Sequence, residues 1–303
     1  MGGRVGTRMV TSLVLAVVAL AACGSPSERP ATTTAGFDVR TETFVDPSRA
    51  TAAAPDRPAA SSRTLETAIY VPRGSPGAGR PLLVFVHGSG GNPDFYRVLL
   101  EAWAADGYVV AAPRFPPDVV NQPGDVSFVI TELLRLSSMT TGPYARLIDG
   151  ARIGVAGHSA GAVTVLGVGF NTCCIDRRVR AGAVMAGDAP PFPGGSYFTG
   201  IHTPLLVVHG VADPTVPFAD GRRIFSEALP PKMMLTVPPS DTPSADHARP
   251  YVGTENRPLA DTRVVMATTI GFFDRYLRDR DVLGRVRKTV DAEVGFTLDI
   301  VEE

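Results

Sequence analysis

Residues 153–170 constrain the fold of this chain more than any other stretch. Ile153-Gly154-Val155-Ala156 is a short apolar run, and Gly157-His158-Ser159-Ala160-Gly161 follows it directly. Residues 160–170 then form a helix-length run of small and apolar side chains. Turning a strand into a helix within five residues puts the residue at the bend in a strained conformation, which only small neighbours permit. A serine at that bend has its hydroxyl lifted above the sheet, at the positive end of the helix. The five-residue pattern alone is weak, since glycines also mark purely structural turns; the flanking strand and helix give it weight.

The remaining pattern agrees with a strand that feeds a helix. Residues 81–87 are apolar on both faces, as in a buried, mostly parallel strand. Further strands are predicted over 37–45, 64–71, 108–112, 151–156, 179–186, 204–209 and 233–237. Helices are predicted over 94–106, 125–136, 160–170, 217–228 and 261–278. Strand–helix repetition implies an α/β class with helices covering both faces of a mostly parallel sheet. No internal repeat or second core interrupts it. The charged tail from 281 carries a late alternation (Val294, Phe296, Leu298, Ile300) that suits an edge strand. Lys and Arg number 29 against 30 Asp and Glu, a net charge of -1, which gives no reason to expect a nucleic-acid partner.

A nucleophilic Ser159 requires a base and an orienting acid. Of five histidines, His87 precedes the serine at the end of a strand, and His158 is tied to the bend with its side chain expected to point away. His202 precedes a strand and His209 sits near a strand's buried end. His247 alone lies in a polar loop after the last strand of the repeat, so it is the expected base. For the acid, Asp213 directly follows the strand 204–209 and faces the rim that carries the bend. Asp188 ends the preceding strand and competes with it, whereas Asp246 is adjacent to His247 and poorly placed to bond its ring. The amide of Ala160 and an amide of the glycine-rich turn His87-Gly88-Ser89-Gly90-Gly91, at Ser89 or Gly90, are the expected donors to an oxyanion. Phe95, Tyr96, Phe192, Tyr197 and Phe198 are candidate walls of an acyl pocket.

The N-terminus carries a separate signal. Arg4 and Arg8 precede an apolar run from 9 to 22, too short to span a bilayer as a mature helix, which reads as a signal peptide. It ends in Leu20-Ala21-Ala22-Cys23, which resembles the lipobox of bacterial lipoproteins. That resemblance implies acylation of Cys23 as the mature first residue, with two acyl chains enough for stable anchoring. Residues 23–35 then read as a flexible tether. The expected location is the outer face of the bacterial cell membrane, with the membrane met only through the lipid. Cys173 and Cys174 are adjacent, below the usual Cα spacing of a disulfide. Two partly buried small hydrophobes are therefore the favoured reading over a vicinal disulfide.

Together these residues resemble the α/β-hydrolase superfamily over about 36–280, so that 36–303 form one domain. Asp46-Pro47-Ser48-Arg49, Tyr70-Val71-Pro72 and Asn121-Gln122-Pro123 resemble the bacterial cutinase and polyester-hydrolase group and the related platelet-activating-factor acetylhydrolases. The resemblance implies a cofactor-free serine esterase that needs no metal, with Ser159, Asp213 and His247 as its triad and a small-molecule or lipid ester as substrate. Ala160 departs from the Met common after the nucleophile in polyester hydrolases, which weakens a polymer assignment. A serine peptidase and a non-catalytic envelope-binding lipoprotein are the competing readings.

Overall fold

Strand residues of this chain alternate between two apolar cores, and that alternation explains the layering. In the computed structural model, Leu82, Val84, Ile153, Val155, Val184 and Val207 face one cluster. Their neighbours Leu83, Phe85, Ala156, Ala183, Leu206 and Val208 face the other. The structure describes residues 1–2, 36–54, 57–74, 79–242, 246–253 and 259–303. Apart from Met1 and Gly2, the expected signal peptide, Cys23 and the tether lie outside the described residues. Ala35–Glu303 form one compact unit.

The strands are β1 (Phe37–Asp46), β2 (Arg63–Pro72), β3 (Arg80–Val86), β4 (Val109–Pro113), β5 (Ile148–His158), β6 (Val179–Met185), β7 (Leu205–Gly210), β8 (Lys232–Val237) and β9 (Thr297–Val301). They make one sheet in the order β1-β2-β4-β3-β5-β6-β7-β8-β9. From β4 to β8 neighbouring strands are parallel, while β1, β2 and β9 add antiparallel pairings at the two edges. Helices α1 (Arg97–Ala105), α5 (Ala260–Arg278) and α6 (Leu283–Asp291) cover one face. Helices α2 (Gln122–Ser138), α3 (Ala160–Phe170) and α4 (Phe218–Glu227) cover the other. The mostly parallel sheet covered on both faces is the expected one. Among the described residues no helix is long and apolar enough to cross a membrane.

The structure departs from the sequence reading in four places. The helix expected over 94–106 opens as a 3₁₀ turn, Pro93–Tyr96, because the Asn92 side chain accepts the Asp94 amide at 2.8 Å and tightens the entry. Helix α2 starts earlier than expected, with Pro123 in its first turn, where a missing amide proton costs nothing. The tail contains α6 as well as the edge strand: Val286 and Val290 are buried against α5, and Leu298 pairs with Leu235 in antiparallel register. Finally, Cys173 and Cys174 form a vicinal disulfide, with Cα atoms 3.8 Å apart. The Asn171 side chain accepts the Cys173 amide at 3.0 Å, turning the chain so that the two sulfurs meet.

Candidate active site

Strand β5 delivers Ser159 to the turn before α3 with φ 55° and ψ -123°, a left-handed conformation costly for a residue with a Cβ. The packing explains why glycines flank it. A Cβ on Gly157 would overlap the Gly161 carbonyl, and one on Gly161 would overlap the carbonyls of Val86 and His87. The Ser159 amide donates to the Met185 carbonyl at 2.9 Å, tying the bend to β6.

His247 and Asp213 come from the loops expected of them. The Ser159 hydroxyl lies 3.0 Å from His247 Nε2, and His247 Nδ1 lies 2.9 Å from Asp213 Oδ2. A carboxylate only accepts, so Nδ1 carries the ring proton and Nε2 is left free to accept from the serine. The other Asp213 oxygen accepts the amides of Thr215 and Val216 at 2.8 and 2.9 Å. Burial alone raises the Asp213 pKa, but the bonds from His247 and the two amides outweigh it and hold the group below its ordinary range. The Asp213 side chain is fully buried, while that of His247 keeps 15 % of its surface exposed. The site is therefore anchored at Asp213 and open at His247. Asp246 bonds the hydroxyl and amide of Ser240 instead of the His247 ring, and no bond links Asp188 to His247 among the described residues.

The turn expected to hold the oxyanion is fixed by a neutral histidine. His87 Nε2 accepts the Phe115 amide at 3.0 Å, so Nδ1 carries the proton and donates to the Gly88 carbonyl at 2.9 Å. Burial pushes the His87 pKa down, which keeps this tautomer neutral. Gly91 donates to the same carbonyl at 3.1 Å. In a trans peptide the carbonyl and the following N–H point in opposite directions. Pinning the Gly88 carbonyl therefore turns the Ser89 amide the other way. Ser89 and Ala160 both line a cavity of about 350 Å³, with His87, Phe115 and Gln122 among its other walls. That volume lies within the range of small-molecule sites. Ala160 is also the first residue of α3, whose opening amides have no intrahelical acceptor.

Two expectations about nearby side chains are corrected. His158 does not point away from the machinery: its Nε2 donates to the His247 carbonyl at 2.8 Å, and its Nδ1 accepts the Tyr96 hydroxyl at 2.9 Å. Burial lowers its pKa to about 4. None of the aromatic residues expected as pocket walls lines this cavity. Tyr96 is buried, with its hydroxyl also accepting the Gly88 amide at 3.1 Å. Phe198 packs on Phe170 in the core, and Phe95 is exposed. Phe115, Pro117 and Val119 supply the apolar wall instead.

The Asp46-Pro47-Ser48-Arg49 motif anchors the β1–β2 connection beside this cavity. Asp46 accepts from the Ser48 amide and hydroxyl at 2.9 and 2.6 Å and from Arg49 Nε at 2.7 Å. Arg49 reaches on to Asp125 at 3.0 Å, and Arg63 grips the same carboxylate through two bonds of 2.6 and 2.5 Å. Arg63 and Asp125 are fully buried, so this network rivets β2, the connection and the start of α2 into one piece.

Comparison with known proteins agrees with this architecture. A family model described as the alpha/beta hydrolase family matches residues 83–299, more than half of the chain, from within β3 to within β9. No curated protein matches it.

Proposed function

This chain belongs to the alpha/beta hydrolase family, and on that premise we propose that it is a serine carboxylic-ester hydrolase acting on short-to-medium acyl esters outside the cytoplasmic membrane. The observation that carries the reading is the hydrogen-bonded row from Ser159 through His247 to Asp213, with the serine on a strained bend. Ser159 Oγ attacks the ester carbonyl while His247 Nε2 takes its proton. Asp213 holds Nδ1–H and balances the imidazolium. The amides of Ala160 and Ser89 receive the oxyanion, and His247 returns the proton to the departing alcohol. His247 then takes a proton from water, whose oxygen attacks the acyl group; collapse returns the proton to Ser159 and releases the acid.

The likeness to cutinases and platelet-activating-factor acetylhydrolases is part of this reading, supported by the residues 46–49, 70–72 and 121–123. Anchoring through a lipid on Cys23 is its other part, supported by the signal-like leader. Two experiments test it. p-Nitrophenyl esters from acetate to palmitate are hydrolysed by the wild type, and Ser159→Ala loses the activity by a factor on the order of 10⁶; a folded wild type inert on every ester, yet active on peptide amides, refutes the esterase reading. Expressed with its leader in a bacterium, the chain partitions with membranes and Cys23→Ser does not; equal partitioning of the two removes the anchor.

A further inference from the structure

The connection between β1 and β2 folds back as a small hairpin, with bridges between Thr51 and Ala60 and between Ala54 and Arg57. It is held at its base by Thr51 Oγ1 donating to the Ser62 carbonyl at 2.8 Å and by the buried Arg63. The hairpin brings Arg57 to the wall of the cavity that Ser89 and Ala160 also line. Among the described residues Arg57 is the only charged side chain on that wall. The polar groups around it are already committed. His87 spends both ring nitrogens on Phe115 and Gly88. Gln122 donates to the Pro116 carbonyl at 2.8 Å and accepts the Thr164 hydroxyl at 2.6 Å. Asp118, nearby in the chain, pairs with Arg63 and accepts from Asn121.

Arg57 is different. Its Nε is buried without a hydrogen-bond partner, and its guanidinium has no ion pair among the described residues. Arg49 and Arg63 use Asp46, Asp118 and Asp125 in the adjoining network, whereas Arg57 has no such acid among the described residues. A half-buried, unpaired guanidinium beside an oxyanion loop is a receptor for a planar anion, which it binds through two parallel N–H donors.

We propose that this cavity selects esters carrying a free carboxylate, which Arg57 receives while the ester carbonyl sits at the Ser89 and Ala160 amides. This rests on the ester-hydrolase reading and deepens it: the substrate class becomes half-esters of dicarboxylic acids, or hydroxy acids acylated on the hydroxyl with the carboxylate free, rather than purely apolar esters. The apolar wall of Phe115, Pro117 and Val119 accommodates the methylene chain between the two groups.

Two matched ester pairs test it, one with the carboxylate on the acyl side and one with it on the alcohol side. They are mono-4-nitrophenyl glutarate against 4-nitrophenyl pentanoate, and 3-carboxyphenyl butyrate against phenyl butyrate. The readout is the ratio of kcat/KM, anionic over neutral, in the wild type, Arg57→Gln and Arg57→Lys. At least one pair is expected to favour the anion in the wild type, with a ratio that falls about tenfold or more in Arg57→Gln, is partly kept in Arg57→Lys, and shrinks with added salt. Calorimetric binding of glutarate to Ser159→Ala, lost in the double variant with Arg57→Gln, reads the same contact without turnover. If neutral esters are cleaved and neither pair shows an Arg57-dependent preference, the inference is overturned while ester hydrolysis stands. If no ester is cleaved, the hydrolase reading falls and the glutarate titration decides the Arg57 site alone.

Discussion

Replacing His158 separates its two contributions, a hydrogen bond and a withheld proton. Its ring joins the loop that carries the base to the 3₁₀ turn before α1, through the His247 carbonyl and the Tyr96 hydroxyl. Burial first, and then the nearby His247, lower its pKa from 6.5 to about 4, despite the opposing bond to the His247 carbonyl. The unfolded chain therefore binds a proton at this residue that the folded chain refuses. The resulting stability is fully present above about pH 6.5 and is lost as pH falls through about 4. At about 1.4 kcal/mol per pH unit, its size is roughly 3 kcal/mol. His158→Gln keeps an N–H donor for the His247 carbonyl but cannot titrate. Urea unfolding at pH 7 and pH 4 is expected to show the wild type losing roughly 3 kcal/mol more than His158→Gln across that interval. Buried His87 and His209 have lowered pKa values as well and act in the same direction, but they are present in both proteins and cancel. His158→Leu leaves the His247 carbonyl and the Tyr96 hydroxyl proton unpartnered, at about 1–3 kcal/mol each, and lowers stability at pH 7 accordingly. Equal pH-dependent losses in the wild type and His158→Gln would refute the account of a buried neutral ring.

Three further outcomes follow from the same geometry. Asp213→Asn removes the acceptor that fixes the His247 tautomer, so ester kcat is expected to fall by about 10⁴, as in comparable triads; a loss under tenfold points to another acid. Arg63→Met takes the two-bond partner from the buried Asp125 carboxylate, leaving it only the partly exposed Arg49, and is expected to cost up to about 3 kcal/mol in denaturant unfolding, whereas Arg63→Met combined with Asp125→Leu recovers much of it. Equal costs for the single and double variants contradict the buried pair. Gly161→Ala drives a Cβ against the Val86 and His87 carbonyls, so the thermal midpoint drops by the equivalent of about 1–3 kcal/mol; an unchanged midpoint shows that the bend is looser than described.

Much of this architecture was legible in the sequence because it depends on local pattern. The helix α3 begins and ends where its small-residue run does, and the strands leading into it were found by apolar runs within a few residues of their ends. The positions of Ser159, Asp213 and His247 were legible for a topological reason: each follows a strand on the same rim of a parallel sheet. What escaped was set by contacts distant in sequence. His158 bonds a carbonyl 89 residues away, and nothing near Gly157 announces that partner. Tyr96 looked like a pocket wall because it is aromatic near the glycine loop, yet its hydroxyl bonds the Gly88 amide and His158. Helix α6 did leave a trace, since Leu283, Val286 and Val290 repeat at helical spacing within a charged tail. Charge density hid it. The vicinal disulfide was disfavoured from average Cα distances, and no sequence pattern reports how the turn after Asn171 brings the two side chains together.

The most direct test of the central claim is labelling the purified domain with a fluorophosphonate and mapping the adduct by peptide mass spectrometry. The account predicts one stoichiometric adduct on Ser159, absent from Ser159→Ala and strongly slowed in His247→Ala. A folded protein that takes up no label, or takes it on another serine, would contradict it.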